Sequence, residues 1–110
     1  MTTEQLWQPS ADTIADANMT HFLQQVNSDH DQALANYHDL YQWSLDNTET
    51  FWSMIWDYFH VIGDKGDTLV KDKDKLPGAQ WFPEARLNFA ENLLRHRDDK
   101  VALVFRGENG

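Results

Sequence analysis

The chain has 110 residues, 41% of them hydrophobic and 25% charged, with no cysteine and a formal net charge of −9. That composition describes one ordinary globular domain. The acidic balance argues against a nucleic-acid backbone or an anionic membrane as partner, since both require a positive field. The missing cysteines exclude a disulfide frame, a thiolate nucleophile and a Cys-based zinc site.

The N-terminus, MTTEQLWQPS, has neither a positive n-region nor an apolar h-region, so it does not read as a secretory signal. No apolar run approaches the roughly 20 residues that span a bilayer. The cytoplasm is the expected compartment, with no nucleic acid and no membrane among the partners. Aromatic residues reach 13%, with five tryptophans. That is generous for one small core, and part of it suits a partner surface.

In chain order, a first helix is predicted from the N-cap Ser10 to Ser28. Ala15, Met19, Phe22, Leu23 and Val26 form its apolar stripe. The polar run Asn27 to Asn36 reads as a connector. A second helix is expected from Asn36, with Tyr37, Leu40, Tyr41, Ser44 and Leu45 on one face. Asp46-x-x-Glu49 has the form of a capping box that would open a third helix over about 47–62.

That third helix is apolar around most of its circumference, with only Ser53, Asp57 and His60 as a polar strip, and is expected to be the centre of the core. Gly63 suits its C′ position. A solvated loop follows, with alternating Lys71 to Lys75, an extended piece near Thr68 to Val70, and turn chemistry at Pro77-Gly78. Pro83 suits the first position of a fourth helix, with Glu84 in its first turn and Leu87, Phe89, Ala90, Leu93 and Leu94 facing inward. The run Val101 to Phe105 reads as a strand without a partner, an edge prone to pairing with another chain. The fold class predicted is mostly α: a small four-helix module with one or two short strands, the last belonging to the sheet of a following domain. The domain boundary falls at residue 100, with 101–110 opening that next domain.

Little in the chain carries chemistry. Ser53, Asp57 and His60 share the i, i+4, i+7 spacing of one helical strip. A stacked strip offers no strained nucleophile and no oxyanion hole, so it reads as structural. His21, His30, His38, His60 and His96 lack metal-site spacing. Asp64, Asp67, Asp72 and Asp74 cannot be drawn into a calcium loop. Gly63-Asp64-Lys65-Gly66 places carboxylates where a phosphate would lie, so it is no nucleotide cradle. Arg86, Arg95 and Arg97, with His96, cluster on or near the fourth helix, and such a cluster can hold the phosphates of a nucleotide or of coenzyme A. The plainer account is late-helix cations complementing the helix dipole and lying over apolar surface. No catalytic residue and no metal ligand is assigned, and no cofactor within these residues.

The stretch Trp81 to Leu94, WFPEARLNFAENLL, resembles a segment near the N-terminus of the acetoacetyl-CoA synthetases, which are AMP-forming acid–thiol ligases. The resemblance begins at Leu6-Trp7-Gln8-Pro9-Ser10 and includes Phe51-Trp52 and Trp56-Asp57-Tyr58-Phe59. It continues through Pro77-Gly78-Ala79-Gln80 and ends at Phe105-Arg106-Gly107-Glu108. In the related acetyl- and propionyl-CoA synthetases a Gly pair follows Trp-Phe, and a Cys stands near the middle of the next helix. Here Glu84-Ala85 and Leu93 occupy those places, which favours the acetoacetate type. Glu84 also departs from that type, where Gly is more usual, and this implies a less constrained turn before the fourth helix. The resemblance implies a non-catalytic module, packed on the AMP-binding domain of the same chain, near the coenzyme A entrance and able to contribute oligomer contacts. ATP, magnesium and coenzyme A are implied for the whole enzyme, and none of the machinery that handles them matches residues 1–110. An adaptor that presents its tryptophans to a protein partner is the alternative from another class, for which Trp7 and Trp43 are expected to be the surface residues and Trp52 and Trp56 core.

Overall fold

The computed structural model describes residues 4–109. The signal-peptide reading at the extreme N-terminus and the last residue of the 101–110 segment fall partly outside them. The chain divides into two units, residues 1–60 and 61–110.

The first unit is helical: α1 (Ala11–Ala15), α2 (Asn18–His30), α3 (Tyr37–Asp46) and α4 (Thr48–Tyr58). Ser10 does cap α1, its hydroxyl accepting from the Thr13 amide at 3.2 Å. The single first helix expected from Ser10 to Ser28 is, however, broken at Asp16–Ala17. Between its alanines the run ADTIADAN carries Asp, Thr and Asn, weaker helix formers whose side chains compete for backbone groups. Thr20 does so here: its hydroxyl donates to the Ile14 carbonyl, which also accepts from the Ala17 amide at the break.

Helix α2 then runs two residues beyond the predicted end and stops at Asp31, which adopts a left-handed conformation with φ 50°. The connector is held by Asn27. Its amide donates to the Leu34 carbonyl at 2.9 Å and its carbonyl accepts from the Leu34 amide at 2.8 Å, as a strand neighbour would. Asn36, from which the second helix was expected to run, is the N-cap of α3 and accepts from the Asp39 amide at 3.0 Å.

The Asp46 capping box does not form. Asp46 remains in α3, where it accepts from Gln42, and the chain turns at Asn47 alone. The Asn47 amide and side chain both donate to the Trp43 carbonyl.

Among the described residues the buried side chains are Phe22, Val26, Leu40, Trp43 and Met54, with Leu23, Leu34, Phe51, Ile55 and Tyr58 packed against them. The core therefore lies where α2, α3 and α4 meet. Helix α4 contributes only Met54 to the buried set, but most of its other residues are half-buried. A smaller share of it is exposed than of α2 or α3, in line with the expectation that it would be the most buried element. Its apolar circumference demands cover on several sides, and within this unit α2 and α3 cover one. Trp43 is 7% exposed and Trp52 43%, so the assignment of Trp43 to the surface and Trp52 to the core is reversed.

The second unit is built from two antiparallel two-stranded ladders nested in sequence. The outer pairs β1 (Gly63–Asp64) with β4 (Arg86–Leu87), and the inner pairs β2 (Val70–Lys71) with β3 (Gln80–Trp81). Gly63 is a ladder residue rather than a helix cap, because α4 has already ended at Tyr58. Pro83 opens no helix either. It occupies the second position of a turn closed by the Ala85 amide on the Phe82 carbonyl at 2.9 Å, another place its fixed φ suits. The final helix, α5 (Phe89–Leu93), starts instead at Asn88, whose side chain accepts from the Glu91 amide at 3.1 Å. Residues 101–105, predicted as a strand, are exposed and join no ladder among the described residues. The fold is thus mostly α with short strands, as predicted. Among the described residues it has five helices, because the first predicted one is broken in two, and four two-residue strands where one or two were expected.

Candidate functional site

In the second unit, Glu84 reaches across the loop that joins β1 to β2. Its carboxylate accepts from the amides of Asp67 at 3.0 Å and Thr68 at 3.1 Å, and from the Thr68 hydroxyl at 3.2 Å. These donors, the Thr68 amide foremost, hold the Glu84 carboxyl below the usual carboxylate range, against opposing contributions from desolvation and the nearby Asp64 charge. The departure at Glu84 therefore tightens the turn that was expected to be loose. Gly66 leaves room for this clamp: at φ 74° a Cβ would stand 2.7 Å from the Glu84 Cβ.

The same bonds decide the fit of this loop to a phosphate. The Gly66 amide already donates to Asp64 Oδ1 at 2.9 Å, and the next two amides are taken by Glu84. The donors that the phosphates of a nucleotide or coenzyme A would need are occupied by the chain's own carboxylates, and the loop does not suit either group.

The three candidate arginines do not converge on one element. Arg86 lies on β4, Arg95 follows α5, and Arg97 lies in the exposed coil beyond it. Arg95 bonds to its own helix end, Nε to the Asn92 carbonyl and Nη2 to Asn92 Oδ1, both at 3.0 Å. Asn92 in turn pairs with both backbone groups of Ile62, at 2.8 and 2.9 Å. It repeats the device of Asn27, and no local pattern in the sequence announces either, because the partners lie 30 and 7 residues away.

The Ser53, Asp57 and His60 strip is not continuous. His60 lies beyond the end of α4 with φ 50°, its amide donating to the Asp57 carbonyl at 3.0 Å. Among the described residues no three acidic or imidazole side chains assemble as a metal site. No helix there is long and apolar enough to cross a membrane.

The first unit carries the most distinctive surface. An apolar groove of about 340 Å³ opens between α2, α3 and α4, floored by Phe22, Leu40, Phe51 and Ile55 and rimmed by Met19, Tyr37, Tyr41, Tyr58 and Phe59. At its Asn18 end it adjoins a polar hollow lined by Asp12, Thr13 and Asp16. Charge is also divided between the units. Residues 1–60 hold nine carboxylates and no Lys or Arg, whereas residues 61–110 hold nine of each sign. The whole formal charge of −9 resides on the helical unit. Counting charge by segment would have shown this in the sequence, and a whole-chain sum conceals it.

The described residues thus form a helical unit followed by short ladders that Glu84 and Asn92 clamp. Comparison with known proteins gives the family. Residues 37–93 match the family described as acetyl-coenzyme A synthetase N-terminus, and the chain belongs to that family. It is 38% identical to the acetoacetyl-coenzyme A synthetase of Rhizobium meliloti (strain 1021) over 94% of this chain and 16% of that protein. Against the acetoacetyl-CoA synthetase of Danio rerio the identity is 40% over 98% of this chain and 16% of the relative. A malonamoyl-CoA synthetase, vrtB of Penicillium aethiopicum, is 36% identical over 97% of this chain and 16% of its own length. The chain thus spans about one sixth of these curated relatives. No solved structure matches it.

Proposed function

We propose that this chain is the N-terminal structural module of an AMP-forming acetoacetate–CoA ligase, which joins acetoacetate to coenzyme A with ATP and releases AMP and pyrophosphate. The carrying observation is the match of nearly the whole chain to several acetoacetyl-CoA synthetases at 37–40% identity. The module takes no chemical part, and ATP, magnesium and coenzyme A belong to the remainder of the enzyme. Its first partner is the AMP-binding domain of the same polypeptide, which residues 101–110 would open, and its compartment is the cytoplasm. Arg86 and Arg97, both exposed, are the better placed of the three arginines to approach coenzyme A, since Arg95 is engaged at its own helix end. Homo-oligomer contacts would run through Val101 to Phe105.

The test is AMP release by the full-length gene product with acetoacetate, acetate, propionate or malonamate as the acid. Acetoacetate is expected to give the highest kcat/KM, and residues 1–110 alone to give none. Preference for acetate or propionate would move the reading to the acetyl-CoA synthetase type, and activity from residues 1–110 alone would remove the non-catalytic role. A free-standing adaptor is favoured only by the open groove, and an acetoacetate-dependent full-length enzyme would exclude it.

A further inference from the structure

We infer that the apolar groove of the helical unit, with the Asp12 and Asp16 hollow at its end, is the seat for a cationic, apolar-anchored segment of the same polypeptide beyond Gly110. This rests on the reading above in one respect, that the chain continues.

Three observations carry it. The first is shape and chemistry: the groove is of about 340 Å³, with Phe22, Leu40, Phe51 and Ile55 as its floor, and it accepts apolar side chains. Helix α4 has the apolar circumference of an element meant to be covered on more than one side. The second is charge: residues 1–60 carry −9 with no Lys or Arg. That field repels anions, so a carboxylate substrate, ATP or coenzyme A is a poor occupant of this face. It also opposes a second copy, because two such faces would bring eighteen carboxylates together with no base on either. A cation next to an apolar anchor satisfies both ends of the site: the anchor fills the groove, and the cation lies by Asp12 and Asp16, which line the hollow sharing Asn18. The third is length: the chain spans 16% of its relatives, which leaves some five sixths of such a protein as a tethered source. Tethering raises the effective concentration of such a segment to about the millimolar range, so a modest intrinsic affinity fills the groove.

The experiment is photo-crosslinking in the full-length gene product, with the change Tyr41→benzoylphenylalanine. Tyr41 lines the groove and is about half exposed, so the probe adds bulk at a rim. The expected result is an adduct at monomer mass, mapped to a segment beyond Gly110 that pairs apolar residues with Lys or Arg. The double change Asp12→Asn with Asp16→Asn should lower adduct yield roughly threefold at low salt, a difference that disappears near 1 M salt, where the Debye length falls to about 3 Å. Adducts at dimer mass, adducts confined to residues 1–110, or no adduct at all would each overturn the inference. A yield indifferent to both the carboxylates and salt would overturn its cationic half. Neither readout depends on which acid the enzyme activates, so failure of the acetoacetate assignment would leave the adduct map unchanged, and the reverse holds.

Discussion

Glu84 shows how one side chain can organise a loop without being buried. Its carboxylate gathers three donors from Asp67 and Thr68, and all three favour the charged form. Because its folded pKa is depressed, the contribution of these bonds is present above the ordinary carboxylate range. It is lost as pH falls through the lower, folded value. The amide resonances of Asp67 and Thr68 are therefore expected to titrate with the Glu84 carboxyl, with a common midpoint below the ordinary carboxylate range. Glu84→Gln should abolish that titration, and a midpoint at or above the ordinary range would refute the clamp. Gly66→Ala tests the same contact by crowding: at φ 74° and 2.7 Å from the Glu84 Cβ it should destabilise the chain by more than about 1 kcal/mol in urea unfolding. In the other unit, Asn27 satisfies both backbone groups of Leu34. Asn27→Ala leaves two partly buried groups without partners and should cost about 1–3 kcal/mol.

At the scale of the element, Trp43 on α3 and Trp52 on α4 separate core from surface. Trp43 is 7% exposed and packs at 5.4 Å on the His30 ring. Trp43→Ala should cost about 3–5 kcal/mol. Trp52 is 43% exposed and meets Phe51 edge to face at 5.1 Å, so Trp52→Ala should cost about 1 kcal/mol. Equal losses on thermal unfolding would contradict this division. The inverted expectation for these residues shows where the sequence stops being legible. Ser10 was readable as a cap and Asn36 as the start of a helix, because a helix start is settled within one turn. The apolar girth of α4 was readable too, but periodicity states how much cover a helix demands and not which neighbour supplies it. The start of the last helix was missed for a related reason: Arg86 and Leu87 are drawn into a ladder with Gly63 and Asp64, more than twenty residues away, and Pro83 is left in a turn. The clamps at Glu84 and Asn92 are equally non-local. The groove needs three helices at once, so only its individual residues, Phe22, Leu40, Phe51 and Ile55, were visible beforehand.

At the scale of the whole molecule, two opposed forces meet in the 110-residue chain. Val101, Leu103, Val104 and Phe105 are almost fully exposed, with Leu103 and Phe105 at 93%. A run of β-formers that joins no ladder can pair with its counterpart on another copy and gain backbone hydrogen bonds as well as apolar burial. The net charge of −9 resists this at longer range, since it is carried by residues 1–60 of each copy while residues 61–110 hold nine charges of each sign. Salt screens that repulsion over a Debye length of about 10 Å at 0.1 M and about 3 Å at 1 M, while hydrogen bonds and apolar contacts persist. Sedimentation should therefore show self-association that grows with both protein and salt concentration, opposite to the behaviour of a dimer held by ion pairs. Val104→Lys places a charge within the pairing run and should suppress association at every salt concentration. Tyr41→Lys, on the groove rim, should leave it unchanged. A wild-type chain that stays monomeric at high salt and high concentration would remove Val101 to Phe105 as a contact surface. Association that fails only in the Tyr41 variant would move that surface to the groove and contradict the cationic occupant assigned to it.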